Sequence, residues 1–303
     1  MSAEKRVTEN IIKKDLTYNT KDAKMKRFRE YLVQDEMSKG TIEEYMRNVA
    51  RYYEWTGNNG HELLRTGEEE TKRSMLKYKK SLQDEKLAAT TINAKLAALN
   101  KYLEFSKMTF RMKYLKVQRK IFKEAKRELS KSEFNLLITT AQKADKERIA
   151  LVMETIGSTG IRVSELKYIT LEALDKPAIE IYMKSKVRTI IVPDKMKKKL
   201  RKYACKNNIQ RGEIFTTATG KSLSRNQIWR EMKAVSNLAQ VKGSKVYPHN
   251  IRALFARLYY EKNKDVIRLS DILGHSSIDT TRIYLKVSVN ECQRQIDRMN
   301  IIA

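Results

Sequence analysis

Proline is nearly missing from this 303-residue chain, with three residues, and glycine is sparse at ten. So few breakers leave long stretches free to form helices, and a mostly helical protein is expected. The two cysteines, Cys205 and Cys292, stand far apart without metal-ligand spacing. That excludes a disulfide framework and a zinc site and suits a reduced, intracellular setting. No apolar run is long enough to span a bilayer. The opening Met1-Ser2-Ala3-Glu4-Lys5-Arg6 leads into polar sequence, so no signal-peptide core is expected there and the protein is placed in the cytoplasm. Acidic residues are also short: 36 Asp and Glu against 63 Lys and Arg give a formal charge of +27, with a pI near 9.9. Such an excess points to a polyanionic partner, nucleic acid before membrane. Charge alone would equally describe a generic basic surface, as on many ribosome-associated proteins.

The length allows two domains, each burying its own core. Residues 1–23 are polar and aperiodic and read as a tail. Over 24–110 the pattern is helical. Phe28, Tyr31 and Leu32 recur at helix spacing, and Tyr45, Val49 and Tyr52 follow the Ser38-Lys39-Gly40-Thr41 break. A loop signal stands at Trp55-Thr56-Gly57-Asn58-Asn59-Gly60. Helices are predicted near Glu68 to Leu82 and over Thr91 to Phe105, the latter with an apolar stripe of Ile92, Leu96, Leu99, Tyr102 and Leu103. Residues 111–127 are dense in Lys and Arg and read as an interdomain linker. Ser130-Lys131-Ser132-Glu133 has the form of a capping box opening a second domain over 128–303. Within it, Ala178 to Met183 and Arg188 to Val192 are β-prone runs flanking Lys184-Ser185-Lys186-Val187. Ser224-Arg225-Asn226-Gln227 caps another helix, and the rest is helical. Beyond residue 285, Val289, Cys292, Ile296 and Met299 mark an amphipathic helix over about 288–301.

Three segments carry the chemistry: Thr159-Gly160-Ile161-Arg162-Val163-Ser164-Glu165-Leu166, Tyr247-Pro248-His249-Asn250-Ile251-Arg252, and Leu273-Gly274-His275 through Tyr284. Breaking a phosphodiester needs a nucleophile, neutralisation of the charge on phosphorus, and proton transfer at both ends. Arginine suits the second task because its planar fork donates two hydrogen bonds and keeps its charge. Arg162 and Arg252 are candidates, and Glu165 sits where it can hold Arg162. His249 precedes Arg252 by nearly one turn, so both can address one phosphate. Pro248 suits a helix start, whose N–H groups also favour an anion. Singly, each residue has a plainer reading: surface arginine, capping or buried histidine, one tyrosine among fifteen.

Together, Arg-x-x-Glu, His-x-x-Arg, Leu-Gly-His and the trailing Tyr284 resemble the tyrosine recombinase (phage integrase, Xer-like) family, in its order and at similar intervals. The weaker Ser38-Lys39-Gly40-Thr41 and Thr90-Thr91-Ile92-Asn93 extend the likeness into the first domain. The resemblance implies a mainly α fold with a small β-hairpin in the C-terminal domain, a SAM-like core-binding domain before it, and a two-domain C-shaped DNA clamp. It implies site-specific strand exchange through a 3′-phosphotyrosyl intermediate and a Holliday junction, without cofactor or metal. Tyr284 would be the nucleophile, Arg162 and Arg252 the clamp with Glu165 in support, His249 a proton acceptor, and His275 a hydrogen bond to phosphate. The lysine that protonates the leaving oxygen falls at Lys184 or Lys186. Met183-Lys184-Ser185-Lys186 departs from the usual Gly-Lys-Gly turn, and Lys184 is preferred because it directly follows the first strand. The C-terminal helix would link protomers in a homotetramer on paired sites in the nucleoid, with accessory DNA-bending or directionality factors. Expected DNA contacts are Lys116, Arg119, Lys120 and Lys123 in the linker, Lys95 and Lys101 on the Thr90–Lys101 helix, and Arg225, Asn226, Gln227 and Arg230 after Ser224. A type IB-like topoisomerase and an inactive DNA-binding relative are the competing readings.

Overall fold

Helices dominate wherever the chain lacks breakers. The structure, a computed structural model, describes residues 23–58, 67–117, 128–183, 186–217, 219–275, 277–285, 293–294 and 296–299, which fall into two compact units, Met1–Arg119 and Lys120–Ala303.

The first unit holds α1 (residues 23–34), α2 (Lys39–Asn58), α3 (Glu68–Asp84) and α4 (Ala89–Phe105). The stripe on α4 buries Ile92, Leu96, Leu99 and Leu103 against Phe28 and Leu32 of α1, Val49 and Tyr52 of α2, and Met75 and Leu82 of α3. Buried phenols find partners: the Tyr52 hydroxyl donates to Ser74 Oγ at 3.0 Å. Phe28 meets the edge of Tyr102 with centroids 5.1 Å apart.

The residues after α4 do not leave the unit at once. Asn100 exchanges two hydrogen bonds with the backbone of Met112, at 3.0 and 2.7 Å. Asn93 does the same with Leu115, at 2.9 and 2.8 Å. The two asparagines are seven residues apart on a helix, a rise of about 10.5 Å, which matches the reach of about 10 Å for three extended residues. Each side-chain amide thus serves the segment as a neighbouring strand would. Lys79 Nζ adds a bond to the Lys113 carbonyl at 2.6 Å. Residues 111–117, expected as linker, are therefore pinned to the first unit, while 118–127 lie outside the described residues.

The second unit opens at α5 (Lys131–Lys143). Its capping box is made by Ser130 Oγ, which accepts from the Glu133 N–H at 3.1 Å, and by Glu133, which accepts from the Ser130 N–H at 2.8 Å. It continues with α6 (Glu147–Thr159), a 310 turn Val163–Tyr168, and an antiparallel pair, β1 (Ile179–Met183) and β2 (Lys186–Ile190). Then follow α7 (Asp194–Lys206), α8 (Arg225–Leu238), α9 (Pro248–Asn263), α10 (Val266–Leu273), α11 (Ile278–Arg282) and a last 310 turn Ile283–Leu285. The second strand begins two residues earlier than its β-prone run suggests, with Lys186 opposite Met183. Helix α10 starts at Val266, where the Asp265 carboxylate caps it through the Arg268 N–H at 2.9 Å. The main core gathers Leu137, Val152, Met153, Ile156, Leu200, Met232 and Ile251. A smaller cluster joins Ala253, Ala256, Leu269, Leu273 and Tyr284, so α9 faces both. Most of the expected C-terminal helix lies outside the described residues; of its stripe, Ile296 and Met299 are exposed.

Replacing Asn93 and Asn100 together by Ala removes two bonds per side chain. At about 1 kcal/mol per bond, either pair is worth roughly 30-fold in local opening. Tryptic cleavage after Arg111, Lys113 and Lys116 is expected to accelerate by at least that factor, with the helical core unchanged by circular dichroism.

Candidate active site

The site is built on the carboxyl end of one short helix. The last four carbonyls of a helix have no partner within it, and the helix dipole makes them electronegative. In α10, Ser270 and Asp271 carbonyls accept from the backbone N–H groups of His275 and Gly274. The Ile272 carbonyl accepts from Arg188 at 3.2 Å, and the Leu273 carbonyl from Arg252 at 2.7 Å. The next carbonyl, Gly274, accepts from Arg162 at 3.3 Å. Three consecutive carbonyls therefore collect three arginines from three different elements.

Each arginine has a second anchor. Arg252, on α9 and only 2% exposed, donates its other amino group to the Gly160 carbonyl at 2.5 Å. Gly160 ends α6 in the left-handed region (φ 65°), and a Cβ there would lie 2.5 Å from the Phe255 ring, so both conformation and space require glycine. Arg162, which precedes the 310 turn, donates to Glu165 Oε1 at 3.0 Å, while its own backbone N–H donates to Oε2 at 2.7 Å. Arg188, on β2, reaches both oxygens of Glu165. The carboxylate is 1% exposed and shared by two guanidiniums.

The histidines flank the phenol. Tyr284 is 6% exposed, with its ring centroid 5.4 Å from His249 and 5.7 Å from His275. Arg252 Nη2 lies 2.9 Å from His275 Nε2, and Thr281 Oγ1, fully buried, lies 2.7 Å from its Nδ1. A guanidinium can only donate, so Nε2 accepts and the imidazole proton belongs on Nδ1, donated to Thr281. Burial first, and then Arg252, Arg162 and Arg188, push the His275 pKa down to about 4. The ring is neutral at pH 7, as its bonding requires. His249 is also shifted down, by desolvation and then by Arg252 and Arg162, so its imidazole is neutral at pH 7. Burial lowers the Arg252 pKa to about 10, with Arg162 and Arg188 adding to the shift and Tyr284 opposing it. Three guanidiniums thus face one carboxylate beside neutral histidines. The arrangement has a surplus of positive charge that an oxyanion would relieve.

The structure brings Arg162, Glu165, His249, Arg252, His275 and Tyr284 into this one place. Lys184 lies outside the described residues, and Lys186 stands in β2. Sequence reasoning missed Arg188 and Thr281. Arg188 shares a strand face with Ile190, 2% exposed, while Val187 and Ile191 on the opposite face are 61% and 58% exposed. A charged residue at the inward position of an alternating strand was the available signal.

The expected DNA contacts divide. Lys95 is not the surface cation it was expected to be: it is buried, and desolvation lowers its pKa. Lys101 Nζ is held by Asp35 at 2.9 Å and Glu104 at 2.7 Å. Burial opposes its charge, but those hydrogen bonds outweigh it and raise its pKa, so its ammonium is committed within the unit. Lys116 is exposed, as are Arg225, Asn226 and Arg230 on α8. Gln227 spends its side-chain oxygen capping α8 through the Ser224 N–H at 2.9 Å, leaving only its amide N–H groups outward. Arg119, Lys120 and Lys123 lie outside the described residues.

Protonating His275 removes the acceptor that Arg252 uses. Because the folded-state pKa lies below the usual imidazole value of about 6.5, the unfolded chain takes up the proton first as the pH falls. The stability supplied here is complete above about pH 6.5 and is lost toward pH 4. An NMR titration of His275 should show a midpoint near 4 in the free protein. Thr281→Val, which removes the Nδ1 partner, should change the tautomer seen by ¹⁵N shifts.

The phage integrase family profile matches residues 127–291, and the phage integrase N-terminal SAM-like domain profile matches residues 25–108. Tyrosine recombinase XerA of Pyrococcus furiosus is 27% identical over 285 residues, covering 92% of this chain and 94% of that protein. Tyrosine recombinase XerD of Chlamydia trachomatis is 28% identical over 221 residues, covering 67% and 72%. Among solved structures, the XerH recombinase bound to its difH substrate before cleavage superposes with a TM-score of 0.62 at 20% identity, over 86% of this chain and 79% of that one. The Tn1549 transposon integrase with circular intermediate DNA gives 0.64 at 14% identity, over 91% and 99%. Both likenesses are of fold. With matches to both family domains covering most of its length, this chain belongs to the phage integrase family of tyrosine recombinases.

Proposed function

We propose that this chain is a site-specific DNA recombinase in which Tyr284 is the nucleophile. The observation that carries the reading is the phenol held between His249 and His275 beside Arg252, in a cluster of guanidiniums with too little negative charge of its own. The Tyr284 oxygen attacks the scissile phosphorus, its proton passing to neutral His249. The phosphorus–oxygen bond to the 5′ carbon breaks, leaving a 3′-phosphotyrosyl link and a free 5′-hydroxyl. Arg162 and Arg252 hold the non-bridging oxygens as charge develops. The leaving oxygen takes its proton from the hairpin lysine, Lys184 or Lys186, the family resemblance favouring Lys184. Attack by another 5′-hydroxyl on the phosphotyrosine reverses these steps and rejoins the strand.

His275 plays its part through Arg252 in the free protein. With Nε2 accepting from the guanidinium, it has no proton to offer phosphate there. An incoming phosphodiester adds negative charge that favours protonation of Nε2, after which the same nitrogen can donate. Tyr284 lies against the arginines and histidines of its own chain, which favours attack in cis.

Exchange between two duplexes needs several copies, and the amphipathic pattern over 288–301, with Ile296 and Met299 exposed, fits a segment that buries its apolar side on a neighbouring protomer. A lambda integrase structure is a tetramer on a Holliday junction, and we read the same assembly here. Double-stranded DNA is the partner. The exposed Lys116, Arg225, Asn226 and Arg230 are its expected contacts, and accessory bending or directionality proteins fit the same scheme.

The test uses nicked suicide duplexes tiled across the DNA flanking the gene of this protein. Wild type should give a slow-migrating covalent adduct on a denaturing gel, and Tyr284→Phe should bind equally and give none. An adduct that survives in Tyr284→Phe would move the nucleophile elsewhere. Arg252→Ala should lower the cleavage rate by about 100-fold or more. Removing residues 288–303 should impair pairing of two sites more than binding to one.

A further inference from the structure

Of the three guanidiniums gathered at the α10 terminus, Arg188 is the one to which the mechanism above gives no task. We propose that Arg188 is a positioning residue that neutralises Glu165, so that Arg162 keeps its positive charge for the phosphate. The inference rests on the recombinase reading and adds a residue to it.

The two arginines beside Glu165 differ in access. The Arg162 side chain is 41% exposed and that of Arg188 is 10% exposed. Arg188 lies on the inward face of β2, donates from Nη1 to both Glu165 oxygens, and donates from Nη2 to the Ile272 carbonyl. A duplex would meet Arg162 and pass over Arg188. The fold also makes room for it: Gly274 has φ 62°, and a Cβ there would sit 2.6 Å from Arg188 Cδ. A buried guanidinium is costly, and an apolar side chain of similar size is often as stable in such a place. Charge balance supplies a reason for arginine. Glu165 is needed to aim Arg162, since it binds both the Arg162 guanidinium and its backbone N–H. Alone with Arg162, however, that carboxylate would form a neutral pair and cancel the charge the phosphate must meet. With Arg188 taking the carboxylate, the three groups sum to one positive charge, and the exposed member bears it outward.

A purely structural Arg188 and a charge-balancing Arg188 predict different double mutants. Arg188→Met should leave affinity for the wild-type cleavage duplex within about twofold and lower single-turnover cleavage by about 100-fold, the scale of one lost transition-state donor. Adding Glu165→Gln to Arg188→Met removes the uncompensated carboxylate while keeping an acceptor for Arg162, and should recover at least about tenfold of that loss. Arg188→Lys, which keeps a charge beside Glu165, should cleave faster than Arg188→Met, and its thermal unfolding checks that the fold persists. The proposal is overturned if Arg188→Met cleaves like wild type, if the double variant is no faster than Arg188→Met, if Arg188→Lys is as slow as Arg188→Met, or if affinity falls as far as rate. Wild type that forms no adduct on any tiled duplex would count against the recombinase reading instead. The charge argument would then be read by ³¹P NMR titration with inorganic phosphate. Binding weakened by Arg188→Met and regained in the double variant would support it, and equal binding by all three proteins would overturn it.

Discussion

Everything in the site depends on the carbonyl end of α10. A helix terminus must place its orphan carbonyls somewhere, and this one gives them to Arg188, Arg252 and Arg162 in succession. Burial depresses the pKa values of Arg188 and Arg252, and repulsion from the neighbouring guanidiniums adds to it. Three things hold them together: the fixed dipole of the helix end, the buried Glu165 carboxylate, and the neutral Nε2 of His275. None of the three cancels the cluster's charge fully. The site is assembled before any phosphate arrives and is short of one anion.

The fold earns this arrangement by bringing distant segments to a single point. Helix α6 ends at Gly160, whose carbonyl anchors Arg252 and whose missing side chain admits Phe255. Helix α9 divides its faces between the main core and the small cluster that holds Tyr284. The hairpin delivers Arg188 from its inward face, and α11 delivers Thr281 to set the His275 tautomer. Preorganisation of this kind matters because dipoles and charges already in place need not reorganise during the reaction.

Much of this was legible in the sequence, for identifiable reasons. Scarcity of proline and glycine announced helices, and the Ser130/Glu133 and Ser224/Gln227 boxes marked two starts within a residue of where they occur. The proximity of Arg162, His249, Arg252, His275 and Tyr284 was readable from their segments taken together. Other features required three dimensions. Asn93 and Asn100 looked like ordinary helix residues, and their partners Met112 and Leu115 like linker, because matching two helical turns to three backbone residues is a tertiary fact. Lys95 and Lys101 read as surface cations until burial and the Asp35–Glu104 pair accounted for them. Arg188 was lost among 63 basic residues, since charge count says nothing of which face of a strand a residue occupies.

The most direct test of a preassembled, anion-deficient site is a crystal structure of the DNA-free protein soaked with orthovanadate. The account predicts one oxyanion held by Arg162 and Arg252 within hydrogen-bond reach of Tyr284, with the three arginine bonds to Ile272, Leu273 and Gly274 carbonyls either kept or exchanged one for one with vanadate oxygens, and α10 unmoved. An oxyanion bound elsewhere, or arginines that reach it only after α10 unwinds, would contradict it.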